Sequence, residues 1–184
     1  MITRDDAIAL LKAQNPDDHL VCHALESEAV MRGLASTLGE DAELWGLAGL
    51  LHDVDFPHTK DSPETHGLMA MGILGDALPE TALTAIKAHN AEYTRVAPSS
   101  RFDYALRAAE SVTGLVHANA LVRPEGMAGM APKSLKKKMK EKAFAANVDR
   151  ERIREYEHLG MEATAFFQVA IDAIAAVAPQ VGLG

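Results

Sequence analysis

Apolar residues recur every three or four positions along most of this chain, which is the period of an amphipathic helix. The first predicted helix begins at Thr3 and is interrupted at Asn15-Pro16-Asp17. A second runs from about Asp18 to Leu38, and Gly39 suits its C-cap. A third is predicted from about Asp41 to His52. The N-terminal third of the chain is therefore expected to be helical.

The same period continues through the rest of the chain. Further helices are predicted from Pro63 with Ser62 as cap, from Pro79 to His89, from Phe102 to Leu121, over the basic stretch Lys133–Ala146, and from Asp149 to Val177. No segment alternates apolar and polar residues as a strand would. We therefore predict an all-α, single-domain bundle of about seven or eight helices. Its core is expected over residues 18–122, with segment 132–178 packed on it.

Composition supports this fold class and bears on the compartment. The 184 residues include 32 alanines and only 5% aromatics, a balance that favours packed helices over strands. Cys22 is the single cysteine, which fits a reducing compartment. No run of 18 consecutive apolar residues occurs, and Met1–Asp6 lacks the features of a signal peptide. We expect a cytoplasmic protein with no membrane partner.

The charge is uneven along the chain. The formal net charge is −8, which disfavours a nucleic-acid polymer as partner. Residues Lys133–Lys142 carry six lysines and one glutamate, so this segment contributes +5 and the remainder −13. The segment is either a solvated outer face or a positive rim that attracts a phosphorylated compound. A small phosphorylated substrate therefore remains compatible with the acidic total.

The placement of histidines and acids is the main chemical signal. Five consecutive predicted helices each offer an imidazole or carboxylate at or near the buried side, at His23, His52-Asp53, His66, His89 and Glu110. Burying such groups requires a partner or a metal. Neutral imidazole with carboxylate is ligand chemistry for Zn, Mn, Fe or Co. We expect one or two divalent transition-metal ions, whose identity the donor types do not distinguish.

The order of these residues resembles a known superfamily. The blocks "LHDVDFPHTKDSPETHGLMAMGIL", "AIKAHN", "ALRAAESVTGLVHANALVRP" and "SLKKKMKEKAFAANVDR" are similar to those of small stand-alone bacterial HD-domain proteins. The HD-domain superfamily comprises metal-dependent phosphohydrolases, and the resemblance covers about residues 20 to 155. It implies a helical HD-type fold and a metal-dependent phosphohydrolase.

The resemblance also implies a ligand set. One metal would be held by His23, His52, Asp53 and Glu110, and a second by His66 and His89, with Asp53 bridging. The family usually has Asp where this chain has Glu110. The extra methylene of Glu places its oxygens about one bond further out, and His117 is the competing choice for this ligand.

The implied reaction uses a metal-activated water as nucleophile, with Asp53 and His52 at the reacting centre. A nucleotide or dinucleotide is the expected substrate. Lys87 and Lys60 are the cations nearest the expected ligands in sequence, so Lys87 is a candidate for catalysis and Lys60 for substrate binding. Arg123, at the end of the sixth predicted helix, is a second candidate for substrate binding.

The roles of two residues between the expected ligands remain open, and so do two functions other than hydrolysis. Asp55 and His58 could line the pocket or simply be solvated loop residues. Some HD-fold proteins are mixed-valence di-iron oxygenases with nearly the same ligands, so an oxygenase is one alternative to hydrolysis. The other is a metal-binding or nucleotide-binding module whose turnover has been weakened by Glu110.

Overall fold

The computed structural model describes all 184 residues and contains helices but no strand. The α-helices are α1 Arg4–Ala13, α2 Asp18–Leu38, α3 Ala42–Leu51, α4 Phe56–Thr59, α5 Met69–Leu74, α6 Glu80–His89, α7 Ala91–Thr94, α8 Arg101–Leu121, α9 Pro132–Lys138, α10 Arg150–Arg154 and α11 Ala163–Val177. Two 3₁₀ segments lie at Glu155–Leu159 and Ala178–Gln180. The all-α prediction is confirmed, although eleven α-helices exceed the seven or eight expected.

Local capping explains where several helices begin and where α2 ends. The Thr3 hydroxyl accepts a hydrogen bond from the Asp6 amide at the start of α1. Ser100 and Asp103 form a reciprocal capping box at the start of α8. Gly39 ends α2 in the left-handed conformation, with φ 74°. These contacts satisfy backbone groups that have no partner within the helix.

Three predicted helices have the wrong extent, and a left-handed residue lies in each break. Gly160 has φ 73° and separates α10 and its 3₁₀ extension from α11, so the predicted last helix is interrupted. Gly67 has φ 83°, and the chain after Pro63 forms turns until α5 begins. The basic helix ends at Lys138, and Ala145 has φ 44°. Apolar periodicity continues across such breaks and does not reveal them.

One apolar core joins the two ends of the chain. It comprises 42 buried hydrophobic residues between Ala7 and Leu183. Helix α3 packs so closely on α2 that a Cβ at Gly49 would stand only 2.7 Å from the carbonyl oxygen of Ser27. This close approach brings the C-terminal end of α3 next to the middle of α2. The side chains that follow α3 therefore face those of α2.

Helix α11 lies in a long apolar segment. Residues Ala163–Gln180 have a mean hydropathy of 1.3 over 18 positions, enough by length and composition alone to cross a membrane. Gln168 and Asp172 interrupt the apolar run, which is why no unbroken stretch is visible in the sequence. Phe166 and Ile174 are fully buried in the core. One third of this segment is buried, so packing inside the protein accounts for part of its apolar character.

Candidate metal centre

Five side chains from four parts of the fold meet at one point. His23 comes from α2, His52 and Asp53 follow α3, His66 lies between α4 and α5, and His89 is the last residue of α6. The Nε2 atoms of His23 and His52 are 3.2 Å apart. Those of His66 and His89 are 2.9 Å apart. The structure thus brings together five of the six residues expected as metal ligands.

Asp53 lies between the two histidine pairs. Its Oδ1 is 3.4 Å from His52 Nε2, 3.2 Å from His66 Nε2 and 3.4 Å from His89 Nε2. Its Oδ2 is 3.7 Å from His23 Nε2. Two groups able to hold a metal result, His23–His52–Asp53 and Asp53–His66–His89, and Asp53 belongs to both.

The other ring nitrogen of each histidine contacts an acceptor, which sets the tautomer. His52 Nδ1 lies 2.8 Å from the Gly49 carbonyl, and His89 Nδ1 contacts the Ile86 carbonyl. Carbonyl oxygens only accept, so these Nδ1 atoms carry the proton.

The remaining two histidines follow the same rule. His66 Nδ1 lies 2.9 Å from the carboxylate of Asp55. His23 Nδ1 lies 3.0 Å from the Thr113 hydroxyl, whose own proton is donated to the Glu110 carbonyl. Each neutral ring therefore presents its Nε2 lone pair to the cluster.

This arrangement fits a bound cation. When all four rings are neutral, four Nε2 lone pairs and one carboxylate converge with no donor among them, which leaves the protein groups mutually repulsive. A proton on one ring relieves part of this repulsion, and a divalent metal satisfies all of the donors together. Imidazole with an acceptor on its second nitrogen is the usual arrangement of a histidine ligand.

Electrostatics support the same interpretation. Burial lowers the pKa of His52 to about 3, so this ring is neutral near pH 7. Burial opposes the ionisation of Asp53, but His52, His66 and His89 outweigh it and hold the pKa of that carboxyl well below its usual value. Burial also opposes the charging of His66, yet Asp53 and Asp55 raise its pKa to about 9. Without a metal, the cluster thus presents the Asp53 carboxylate, a neutral His52 and a His66 that is protonated near pH 7.

Asp55 supports the cluster from behind. It is fully buried, and besides His66 it accepts hydrogen bonds from the amides of Gly67 at 2.8 Å and Ala70 at 2.9 Å. It therefore orients His66 and ties the turn that carries this histidine to α5. His58, the other loop candidate, is exposed and bonds to Gln14.

Glu110 lies on the wall of the cavity at the cluster but outside both metal-holding groups. Its Oε1 is 2.7 Å from the Ser111 hydroxyl and 3.4 Å from Arg152 Nη1. The competing residue, His117, is bonded through Nδ1 to buried Glu26 at 2.6 Å and is also outside the groups. The role of Glu110 as a ligand remains a prediction.

The three cations expected near the substrate lie elsewhere. Lys87 Nζ is 3.4 Å from Glu80 on the exposed side of α6, and Lys60 is exposed after α4. Arg123 donates to the carbonyls of Gly126 and Ala128, which stabilises the loop after α8. None of the three lines the cavity at the cluster, because nearness in sequence does not place a side chain on the same wall.

Arg152 lines that cavity instead. The cavity has a volume of about 420 Å³ and includes His23, Asp53, Phe56 and Glu110. Arg152 comes from α10, 42 residues beyond Glu110. No motif in the sequence marked it, because only the packing of α10 beside α8 brings it to the cavity.

Comparison with known proteins gives one result that agrees with this geometry. The family model described as HD domain matches residues 20–117, which is more than half of the chain. The chain therefore belongs to the HD-domain family, which is of the metal-dependent phosphohydrolase type. No curated protein and no solved structure matches it.

The pair formed by His117 and Glu26 predicts a pH-dependent contribution to stability. The hydrogen bond to Glu26 raises the pKa of His117 above its ordinary 6.5. A raised folded-state pKa contributes stability that is complete below about pH 6.5 and is lost as pH rises through the folded value. We expect His117→Gln to lower the free energy of unfolding by about 1.5–3 kcal/mol at pH 6 and by less at pH 9.

Urea unfolding at the two pH values measures this difference. His19→Gln is the matched control, since His19 is exposed and has no hydrogen-bond partner among the side chains. An equal loss at pH 6 and pH 9 in His117→Gln would contradict the charged pair.

Proposed function

We propose that this protein is a phosphohydrolase that uses two divalent metal ions to cleave a small phosphorylated substrate, a nucleotide or dinucleotide being the expected class. The observation that carries the proposal is the convergence of four histidine Nε2 atoms on the carboxylate of Asp53. Its Oδ1 lies near His52, His66 and His89 and its Oδ2 near His23, so this one carboxylate contacts both histidine pairs, as a carboxylate that bridges two ions would.

The residues divide into two sets. His23, His52 and Asp53 would hold one ion, with Glu110 as the further ligand implied by the family pattern. His66, His89 and Asp53 would hold the second. When bound, such ions lower the pKa of a coordinated water to about 7 and neutralise charge on phosphoryl oxygens.

Burial and hydrogen bonds keep the side chains of this site ordered and limit the access of water to it. His52 and His89 are almost completely buried, so one side of the cluster is closed to solvent. His23 and Asp53 line the open cavity, so a substrate can approach the cluster from that side. Asp55 and Thr113 hold the rings of His66 and His23 in the ligating tautomer.

Metal analysis of anaerobically purified protein, followed by hydrolysis assays on a phosphoester panel with Fe, Mn, Co and Mg, tests the proposal. We expect two ions per chain in the wild type and one in His66→Ala or His89→Ala, with hydrolysis lost in both variants. His58→Ala is the matched control, since His58 is exposed and away from the cluster.

Three outcomes would contradict it. A single ion that is unaffected by His66→Ala and His89→Ala excludes the binuclear site. Oxygen consumption by an iron-loaded protein that leaves all phosphoesters intact identifies an oxygenase. Tight metal binding without turnover on any panel member, restored to activity by Glu110→Asp, identifies a weakened binding module.

A further inference from the structure

The cavity at the metal-holding cluster contains one guanidinium group. Arg152 lines it together with the carboxylates of Asp53, Glu110 and Asp149, and no lysine does so. A cavity with three acids repels a phosphorylated compound unless cations offset them. Apart from bound metals, Arg152 is the cation in this cavity that can offset the three carboxylates.

Arg152 is held by its neighbours but retains hydrogen-bonding capacity. Its Nη2 lies 2.7 Å from Glu92, while Nη1 makes only a long contact of 3.4 Å to Glu110. Its Nε is buried without a hydrogen-bond partner, and the nearest carboxylate oxygen, on Asp149, is 3.7 Å away. A buried N–H without a partner is uncommon, and this Nε keeps the capacity to donate one more hydrogen bond.

The shape of the guanidinium suits a phosphoryl group. Arginine presents several N–H donors in one plane, and it binds phosphate oxygens through paired charge-assisted hydrogen bonds. The contact to Glu110 is the longer of the two hydrogen bonds that the guanidinium of Arg152 makes, so a phosphoryl oxygen can replace it at little cost.

We infer that Arg152 binds the phosphoryl group of a phosphomonoester substrate opposite the metal-holding cluster, an assignment that rests on the proposed hydrolase function. A monoester phosphoryl carries about two negative charges at neutral pH, so it competes with Glu110 better than a singly charged diester does. Arg152 is thus a substrate-binding residue that fixes the class of ester.

An aromatic side chain defines the rest of the cavity. Phe56 is 40% exposed and lines the same cavity, with its ring edge-to-face to that of His66 at 5.5 Å. An exposed aromatic ring beside the phosphoryl site offers an apolar surface to the organic part of the ester. The cavity therefore suits a monoester with a flat or apolar organic group.

Binding of inorganic phosphate to the manganese-loaded protein, measured by calorimetry, tests the inference without requiring turnover. We expect Arg152→Gln to raise the dissociation constant about tenfold or more, and Arg152→Lys to restore part of the loss. For hydrolysis, the KM of p-nitrophenyl phosphate should rise more than that of the bis-p-nitrophenyl diester.

Two further variants separate binding from folding. Glu92→Gln replaces the carboxylate that holds Nη2 of Arg152 with a neutral amide and so weakens this contact, and phosphate should bind about two- to fivefold more tightly. Arg154→Gln is the matched control, because Arg154 lies two residues along α10, is exposed and lines a different cavity. Opposite shifts in Arg152→Gln and Glu92→Gln cannot come from a general loss of structure.

Each result decides one of the two proposals. Unchanged phosphate affinity in metal-loaded Arg152→Gln and Arg152→Lys overturns the role of Arg152, as does a wild type that binds no phosphate. If phosphate binds as described but no phosphoester is hydrolysed, the anion site stands and the hydrolase function fails.

Discussion

Asp53→Asn is expected to abolish hydrolysis, lowering kcat by at least about 10³-fold, equivalent to about 4 kcal/mol of transition-state stabilisation. The reason is the position of Asp53 between two pairs of histidines, each within 3.7 Å of its oxygens. An amide carries no charge and has only one acceptor oxygen, so it cannot serve two ions.

Metal content measured on the same preparations distinguishes loss of ions from loss of structure. We expect Asp53→Asn to bind fewer than two ions while keeping the helical circular dichroism of the wild type. Asp61→Asn, a change of the same kind at an exposed position, should leave both activity and metal content unchanged. Wild-type metal content together with wild-type kcat in Asp53→Asn would refute the bridging role.

Asp55→Ala is expected to give the largest loss of stability, about 3–5 kcal/mol. Its carboxylate is fully buried and accepts hydrogen bonds from His66, Gly67 and Ala70. Removing it leaves two buried backbone amides without acceptors and releases the ring of His66. The same change should therefore lower the occupancy of the second metal site.

Urea unfolding of the metal-free protein measures this loss directly. Asp55→Asn is the informative comparison, because the amide oxygen can still accept from an amide N–H while the charge on His66 loses its partner. We expect an intermediate stability for Asp55→Asn. A loss below about 1 kcal/mol in Asp55→Ala would show that water replaces the carboxylate and that the turn is not tied by it.

The helical class and most of the cluster follow from local features of the chain. Helix α2 could be placed because its apolar period, the break at Asn15-Pro16-Asp17 and Gly39 agree. The sequence indicates His52 and Asp53 as site residues because this polar pair directly follows an apolar helix. These signals lie within a few residues of each other, which is the range over which sequence pattern reports structure.

The breaks within helices were harder to predict. The turn at Gly67 and the interruption at Gly160 depend on single left-handed residues inside a continuing apolar period. The break at Gly67 satisfies a tertiary contact, because the Gly67 amide bonds to buried Asp55, twelve residues earlier. A hydrogen bond to a distant carboxylate leaves no mark in the local pattern.

By itself, the sequence determined the all-α fold, the family and the five side chains that converge at the cluster. It could do so because helix periodicity and the order of ligand types can be recognised from residues close together in the chain. Only the tertiary structure decided which groups surround them. It placed Asp55 behind His66 and Arg152 on the cavity wall, and it left Lys87 and Arg123 away from the cavity. Helix packing determines which side chains line the cavity, and such packing brings together residues that are far apart in the chain.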